Sequence, residues 1–239
     1  MWDWLLLPID PARLHLVSEP VAWHGRVMVL SWGVLLPLGV LAARFFKVMP
    51  RQDWPQTLDN RTWWMAHLGL QYLGGLLMLA GLVLVLSSAR RSALPHTHGL
   101  LGYAVLTLGA CQFLAGWLRG SKGGPTEPRL SGDHYDMTFR RRVFEVMHKT
   151  LGYVALLTGY AAIFTGLWRA NAPHWMWIVL LAWIFCLGGL FVLLQRGGRA
   201  IDTYQAIWGP DPKHPGNALP PISWGIRRLP APKQKRSHE

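Results

Sequence analysis

The chain of 239 residues is 51% hydrophobic and only 15% charged, and its formal net charge is +12. The apolar residues are concentrated in five blocks, a pattern typical of a membrane protein and not of a soluble core. No nucleic-acid-binding motif accompanies the positive charge, so a nucleic-acid partner is not expected.

The chain begins with MWDWLLLPID, which has no basic leader and meets Pro8 and Pro11 early. We interpret residues 1–19 as an interfacial segment anchored by Trp2 and Trp4, and not as a signal peptide. Five apolar stretches then approach or exceed the roughly 20 residues that a helix needs to cross a bilayer. The predicted spans cover about residues 21–46, 62–89, 95–118, 140–168 and 173–196. We therefore predict an all-α integral membrane helical bundle, with a membrane domain over residues 20–196 in the lipid bilayer.

Basic residues are unevenly divided between the two sides of this predicted bundle. The loops after the first and third spans and the C-terminal segment carry most of them, including Arg44, Lys47, Arg51, Arg61, Arg119, Lys122, Arg129, Arg140, Arg141 and Arg142. The positive-inside rule makes that side cytoplasmic, so the N-terminus is expected outside and the C-terminus inside. In a bacterium this would be the inner (plasma) membrane. Residues 197–239 are predicted to be cytoplasmic, with a short surface helix and an extended tail.

Four of the ten histidines lie one or two turns inside the start of a different predicted span. The alternating direction of the spans puts His24 and His98 near the outer face, and His67 and His148 near the inner face. Two imidazoles from facing helices are the axial ligands that a six-coordinate haem iron accepts. We therefore expect two haem irons, an outer one held by His24 and His98 and an inner one held by His67 and His148. The other six histidines are expected to be solvated in loops, tails or interfaces: His15, His96, His134, His174, His214 and His238.

Glycines follow three of these four histidines at helical spacing. Gly102 and Gly152 come four residues after His98 and His148, and Gly74 comes seven residues after His67. Each shares a helix face with its histidine, where a side chain would crowd a porphyrin. The pattern predicts a four-helix di-haem core within the five-span bundle.

Two other interpretations of the histidines remain. A single intramembrane histidine can simply form a hydrogen bond across a helix interface, so a haem-free transporter or scaffold would use these residues for protons or packing. A di-iron or zinc enzyme would need clustered ligands or carboxylates. The uncharged parts of the five stretches contain no Asp or Glu, and the nearby Glu145 lies three residues before His148 among basic residues.

The sequence resembles the cytochrome b561 family. HGRVMVLSWGVLLPLGVLAARFFK at 24–47 is similar to the first haem helix of the branch that elsewhere is fused to an extracellular DOMON domain, which is not expected in this chain. The similarity continues through the other three histidines to YQAIWGPDPKHPGN at 204–217. The resemblance implies two b-type haems in the pairing given above. It also implies transmembrane electron transfer, often from cytosolic ascorbate to an outside acceptor such as ferric iron or monodehydroascorbate.

The donor site of the family is altered in this chain. Where animal and plant enzymes have a Tyr-Arg or Tyr-Lys linked to ascorbate, this sequence reads AARFFK. Arg44 and Lys47 are candidates for binding an anionic donor or a haem propionate at the inner face, and they serve equally well as membrane-flank anchors.

Taken together, these features predict a transmembrane oxidoreductase, with no separate catalytic residue assigned. It would accept electrons from a small cytoplasmic donor, ascorbate or a quinol, and pass them to an external redox acceptor or protein. A homodimer is compatible with the sequence. The alternative is a haem-bearing membrane anchor that exchanges electrons with quinone for a partner dehydrogenase.

Overall fold

The computed structural model describes residues 2–88 and 96–230. Within these ranges, five helices are long and apolar enough to cross a membrane. We name them the first to fifth span: Glu19–Phe45, Thr62–Leu86, Thr97–Trp117, Phe139–Arg169 and His174–Arg196. The predicted span ends at residues 89 and 95, and the part of the C-terminal segment after residue 230, lie outside the described residues. The predicted all-α bundle with five spans is confirmed.

The first span has a wider turn at its centre, where Val29–Leu35 is π-helical. Pro37 has no backbone N–H, so the carbonyl of Gly33, four residues earlier, lacks its helical donor. That carbonyl instead accepts hydrogen bonds from the Tyr160 hydroxyl at 3.1 Å and from Trp183 Nε1 at 2.8 Å. Because the bilayer interior offers no water, these two bonds satisfy a group that is costly to leave unpaired. They also fasten the first span to the fourth and fifth.

Trp32 lies at the centre of the bundle and is only 4% exposed. A Cβ added to Gly159 would lie 2.7 Å from Trp32 Cε3, and one added to Gly109 would lie 3.6 Å from Trp32 Cζ2. The two glycines, on the fourth and third spans, therefore leave the room that the indole fills. The surrounding buried cluster consists of Trp32, Leu36, Met78, Val105, Ala155, Ile163 and Leu180.

The N-terminal segment folds onto the loop between the fourth and fifth spans. Its helix, Trp2–Leu6, packs at the start of the fifth span, where the Trp4 ring stacks on His174 at 4.1 Å between centroids. Asn171 is 2% exposed. Its Nδ2 donates to the carbonyls of Asp10 and Arg13, and its Oδ1 accepts from the Asp10 amide. The segment is thus held to this end of the bundle by a buried side-chain amide.

Residues 197–230 form a packed layer against the opposite end. The helix Thr203–Trp208 is buried along its whole length, so the expectation of a surface helix is wrong. The reason is its aromatic content, because it joins the loop before the fourth span in a cluster of Tyr135, Met137, Tyr204, Ile207 and Trp208. His134, expected to be solvated, is 5% exposed and contacts the Trp208 ring at 4.7 Å.

The contact between Gly159 and Trp32 generates a test of packing at the bundle centre. Gly159→Ala forces Trp32 or the fourth span to move, and overpacking of this kind costs about 1–3 kcal/mol. Gly188→Ala is the matched control, because an added Cβ at Gly188 meets nothing within 4 Å. We expect thermal unfolding of the detergent-purified protein to shift to lower temperature for Gly159→Ala alone. Equal melting temperatures for the two variants would contradict this packing.

Candidate functional site

The structure brings His24 and His98 together at the end of the bundle where the first and third spans begin. Their ring centroids are 6.1 Å apart, with the ring planes nearly perpendicular at 83°. His24 Nδ1 bonds the Gly81 carbonyl of the second span at 2.8 Å, and His98 Nδ1 bonds the Ala162 carbonyl of the fourth at 2.9 Å. Because a backbone carbonyl only accepts, each Nδ1 carries the proton, and each Nε2 keeps its lone pair for a ligand.

His67 and His148 meet at the other end in the same arrangement. Their centroids are 6.4 Å apart and the planes again cross at 83°. His67 Nδ1 bonds the Gly39 carbonyl of the first span at 3.0 Å. His148 differs from the other three histidines, because its Nδ1 lies 3.0 Å from a terminal atom of the Gln112 side-chain amide.

Both pairs fit a haem iron by their spacing and by their donor set. Two imidazoles on opposite sides of one ion, with metal–nitrogen bonds of about 2 Å, have ring centroids about 6 Å apart. A porphyrin supplies four further ligands, so a pair of histidines completes a six-coordinate iron. Among residues 2–88 and 96–230, no group of three or more His, Cys, Asp or Glu side chains is placed to hold a metal ion. Each histidine pair supplies two ligands, the number that such an iron leaves open.

A cavity of about 630 Å³ surrounds the pair of His67 and His148. Its deep end reaches Trp32 and Met78 at the bundle centre, and its wall includes Gly75 and Gly152. A volume of this size, mostly apolar and open at one end, is typical of a cofactor pocket.

The three predicted glycines have different surroundings. Gly152 lines the cavity, and a Cβ added there would lie 3.5 Å from Gln112 Oε1. A Cβ added to Gly102 would meet nothing within 4 Å. Gly74 packs between helices, since an added Cβ would lie 2.7 Å from Leu36 Cδ2. Gly74 therefore serves helix packing. Its neighbour Gly75 lines the cavity, where an added Cβ would lie 2.6 Å from Phe113 Cζ.

Two residues of the site were not singled out from the sequence. Gly166 lies against the His98 ring, because an added Cβ would be 3.0 Å from His98 Cε1. It belongs to a series on the fourth span, Gly152, Gly159 and Gly166, spaced seven residues apart and thus on one face. Gln112, the amide beside His148, is a polar residue within an apolar run. Both signals are present in the sequence, but the side chains they face become visible only in the folded bundle.

Cations surround the open end of the cavity, where the C-terminal segment meets the bundle. Arg44 donates to Tyr153 Oη, to Gln195 Oε1 and to the Trp224 carbonyl. Lys47 Nζ donates to the Ile201 carbonyl at 2.9 Å. Both predicted basic residues thus lie at the mouth of the cavity, and both are buried.

A third cation, Lys149, is also found at the cavity mouth. Its Nζ bonds the Ile222 carbonyl at 3.0 Å and forms an ion pair with Glu145. Glu145 is shared with Arg141, whose Nη2 lies 2.9 Å from Glu145 Oε1. One carboxylate therefore stands among several positive groups, and the cavity mouth is electropositive.

A family model described as eukaryotic cytochrome b561 matches residues 23–173, which include all four histidines of the two pairs. The chain belongs to the cytochrome b561 family. Membership in this family implies haem b binding, to which the donor sets described above are suited. None of the solved structures compared with the chain matches it.

Curated relatives support the same assignment. A cytochrome b561, DM13 and DOMON domain-containing protein of Arabidopsis thaliana is 29% identical over 144 residues, 60% of this chain and 14% of the relative. A cytochrome b561 and DOMON domain-containing protein of the same plant is 28% identical over 194 residues, 77% of this chain and 42% of the relative. A putative ferric-chelate reductase 1 homolog of Drosophila melanogaster is 28% identical over 215 residues, 83% of this chain and 30% of the relative. The chain spans less than half the length of each.

Lys47 at the cavity mouth should make stability depend on pH. Burial is the main cause that lowers the pKa of Lys47 from 10.5 to about 7. The positive charges of Lys149 and Arg44 lower this pKa further, and the negative charges of Glu145 and Asp202 oppose the shift. Between about pH 7 and 10.5 the unfolded chain binds one more proton here than the folded chain, so this contribution to stability rises with pH. Lys47→Met removes the contribution. We expect thermal unfolding to show a smaller gain from pH 7 to pH 10 in the variant than in the unmodified protein.

The control for this experiment is Lys213→Met, which replaces an exposed lysine of the C-terminal segment. It should leave the gain between the two pH values unchanged. Identical pH dependence in Lys47→Met and the unmodified protein would show that Lys47 does not titrate in this window.

Proposed function

We propose that this cytochrome b561 family member carries electrons across the membrane through two b-type haems. His24 and His98 would be the ligands of an outer haem, and His67 and His148 those of an inner one. The observation that carries the proposal is that the four histidines form two pairs. Each joins two different spans, and the two lie at opposite ends of one four-helix core. A bound haem supplies one-electron chemistry through its ferric and ferrous states.

Helix geometry supports a path between the two sites. On the first span, His24 and Gly39, the partner of His67, are 15 residues apart, or roughly 22 Å along the helix axis. On the fourth span, His148 and Ala162, the partner of His98, are 14 residues apart, or roughly 21 Å. Two independent helices thus give nearly the same distance between the inner and outer histidine pairs. This distance is shorter than the thickness of a bilayer core, which is about 30 Å. His24, His67 and His98 hold their positions through Nδ1 and leave Nε2 for the iron.

The direction proposed for the chain places the Arg44 and Lys47 end in the cytoplasm. Most loop cations lie at this end, which satisfies the positive-inside rule. The N-terminal segment, residues 1–19, would then lie on the outer surface, and the segment from residue 197 onward would lie inside.

An anionic donor is proposed for the cytoplasmic mouth. Arg44, Lys47 and Lys149 surround it, and ascorbate carries a single negative charge that they would attract. A quinol is the alternative donor, entering along the apolar wall. The donor would lose one electron at the inner haem, and an acceptor outside would gain one at the outer haem.

The relatives suggest the class of acceptor. One of them is named a putative ferric-chelate reductase homolog, and two are named for DOMON domains. We propose a ferric chelate or a separate redox protein as the external acceptor, which makes the protein a transmembrane oxidoreductase.

The first test is a dithionite-reduced minus oxidised visible spectrum of the detergent-purified protein, with haem measured per polypeptide. We expect two low-spin b haems per chain, because two bis-histidine sites are present. One haem per chain would favour a quinone-linked membrane anchor, and its reduction by quinol would be measured next. A colourless, folded protein would overturn the proposal in favour of a haem-free transporter or scaffold.

Single-ligand variants test the pairing. His24→Ala and His98→Ala should each leave one haem per chain, and these two variants should retain the same one. His67→Ala and His148→Ala should retain the other, with distinct reduced spectra and midpoint potentials. His96→Asn is the control, because His96 stacks near His98 at 6.0 Å yet caps a helix, a role that Asn also fills. Loss of both haems from a folded single variant would remove support for independent pairs.

A further inference from the structure

The partner of His148 sets it apart from the other three histidines. His24, His67 and His98 each have Nδ1 against a backbone carbonyl, which can only accept a hydrogen bond. A carbonyl therefore fixes the tautomer of the ring. At His148 the partner is the side-chain amide of Gln112, which can present either an acceptor or a donor.

The amide of Gln112 lies near two backbone groups of the fourth span, one a hydrogen-bond acceptor and the other a donor. One of its terminal atoms lies 3.0 Å from His148 Nδ1 and also 3.0 Å from the His148 carbonyl oxygen, and the other lies 3.2 Å from the Gly152 amide nitrogen. Within the fourth span these two groups already bond each other, as residues i and i+4 of an α-helix do, so the amide adds a further contact to each. Both further contacts form only when the NH₂ of Gln112 points toward His148. In that orientation Nδ1 must accept, so the ring proton is on Nε2.

Binding of an iron reverses this arrangement. A metal at Nε2 requires the proton on Nδ1, which then needs an acceptor. The amide must turn so that its oxygen faces the ring, and that oxygen then also faces the His148 carbonyl at short range.

We propose that Gln112 is a positioning residue for the inner haem, whose amide turns to accept the Nδ1 proton of His148 and thereby sets the ligand strength of that histidine. This inference rests on the proposed function, since it requires a haem held by His148. A hydrogen-bond acceptor on the outer nitrogen raises the basicity of a ligating imidazole and so favours the ferric state. The strength of this one bond can be changed by substitution of a side chain, which is impossible at the three backbone carbonyls.

The test compares two substitutions with opposite expected effects. Gln112→Met removes the acceptor while keeping the length of the side chain, so the ferrous form of the inner haem should gain by about tenfold, equivalent to about 59 mV. Gln112→Glu places oxygen on both terminal atoms, so the ferric form should gain instead. The measurement is a redox titration of the purified protein, monitored in the visible spectrum, together with the electron paramagnetic resonance signal of each ferric haem.

The outer haem of the same protein serves as the control. The outer haem, at the opposite end of the bundle, should keep its potential in both variants, and haem content should remain that of the unmodified protein. The inner haem is identified as the one missing from His67→Ala. Opposite shifts confined to the inner haem support the proposal. Unchanged potentials with full haem content, or shifts of the same sign in both variants, would overturn it and leave the two-haem function intact.

If Gln112→Met does not fold or loses the inner haem, Gln112→Glu alone decides the matter. A Gln112→Glu protein that holds the inner haem at a lowered midpoint potential supports a role for Gln112 as a positioning acceptor. A Gln112→Glu protein that holds the inner haem at the potential of the unmodified protein contradicts that role, because a residue that only packs would not change the potential. Fewer than two haems in the unmodified protein is a different result, which would count against the proposed function itself.

Discussion

A backbone polar group that enters the bilayer must find its partner within the protein, and this constraint organises the bundle. Pro37 frees the Gly33 carbonyl, which then binds donors from the fourth and fifth spans. Ser31 Oγ donates to the Gly74 carbonyl of the second span at 2.7 Å. The spans are thus joined by hydrogen bonds between named groups, in a medium where apolar contacts alone discriminate poorly between helix faces.

The histidines follow the same rule, and the proposed haem ligation depends on it. An imidazole has two nitrogens, and in lipid both need a partner. In three of the four, a neighbouring carbonyl takes Nδ1, so only Nε2 faces the interior between the spans. The hydrogen bond that stabilises each of these three rings therefore also orients the lone pair of Nε2 toward the interior. A single buried histidine would satisfy the constraint equally well, but two rings about 6 Å apart at each end have the spacing that the proposed haem ligation requires.

Glycines on the fourth span lie against larger side chains from other spans. Gly152, Gly159 and Gly166 share one face and meet Gln112, Trp32 and the His98 ring in turn. Gly159 and Gly166 leave room for these two rings at different depths, whereas a Cβ added to Gly152 would be in ordinary contact with Gln112 at 3.5 Å. The series thus shapes the centre and the outer site. At the inner end, the cations that surround the cavity are bound by backbone carbonyls of the C-terminal segment, so this segment forms part of the site's wall.

The class of fold, the number of spans and the four histidines follow from the amino-acid sequence alone, because apolar length and the depth of a polar ring are local properties. Their grouping into two pairs followed from the alternating direction of the spans. The folded bundle was needed to show which group each Nδ1 contacts, that Gly75 and not Gly74 lines the cavity, and that Thr203–Trp208 is buried. It also placed Gln112 beside His148. These features depend on the rotation of each helix about its axis and on contacts between residues far apart in the chain, which hydrophobic patterns along the sequence do not specify.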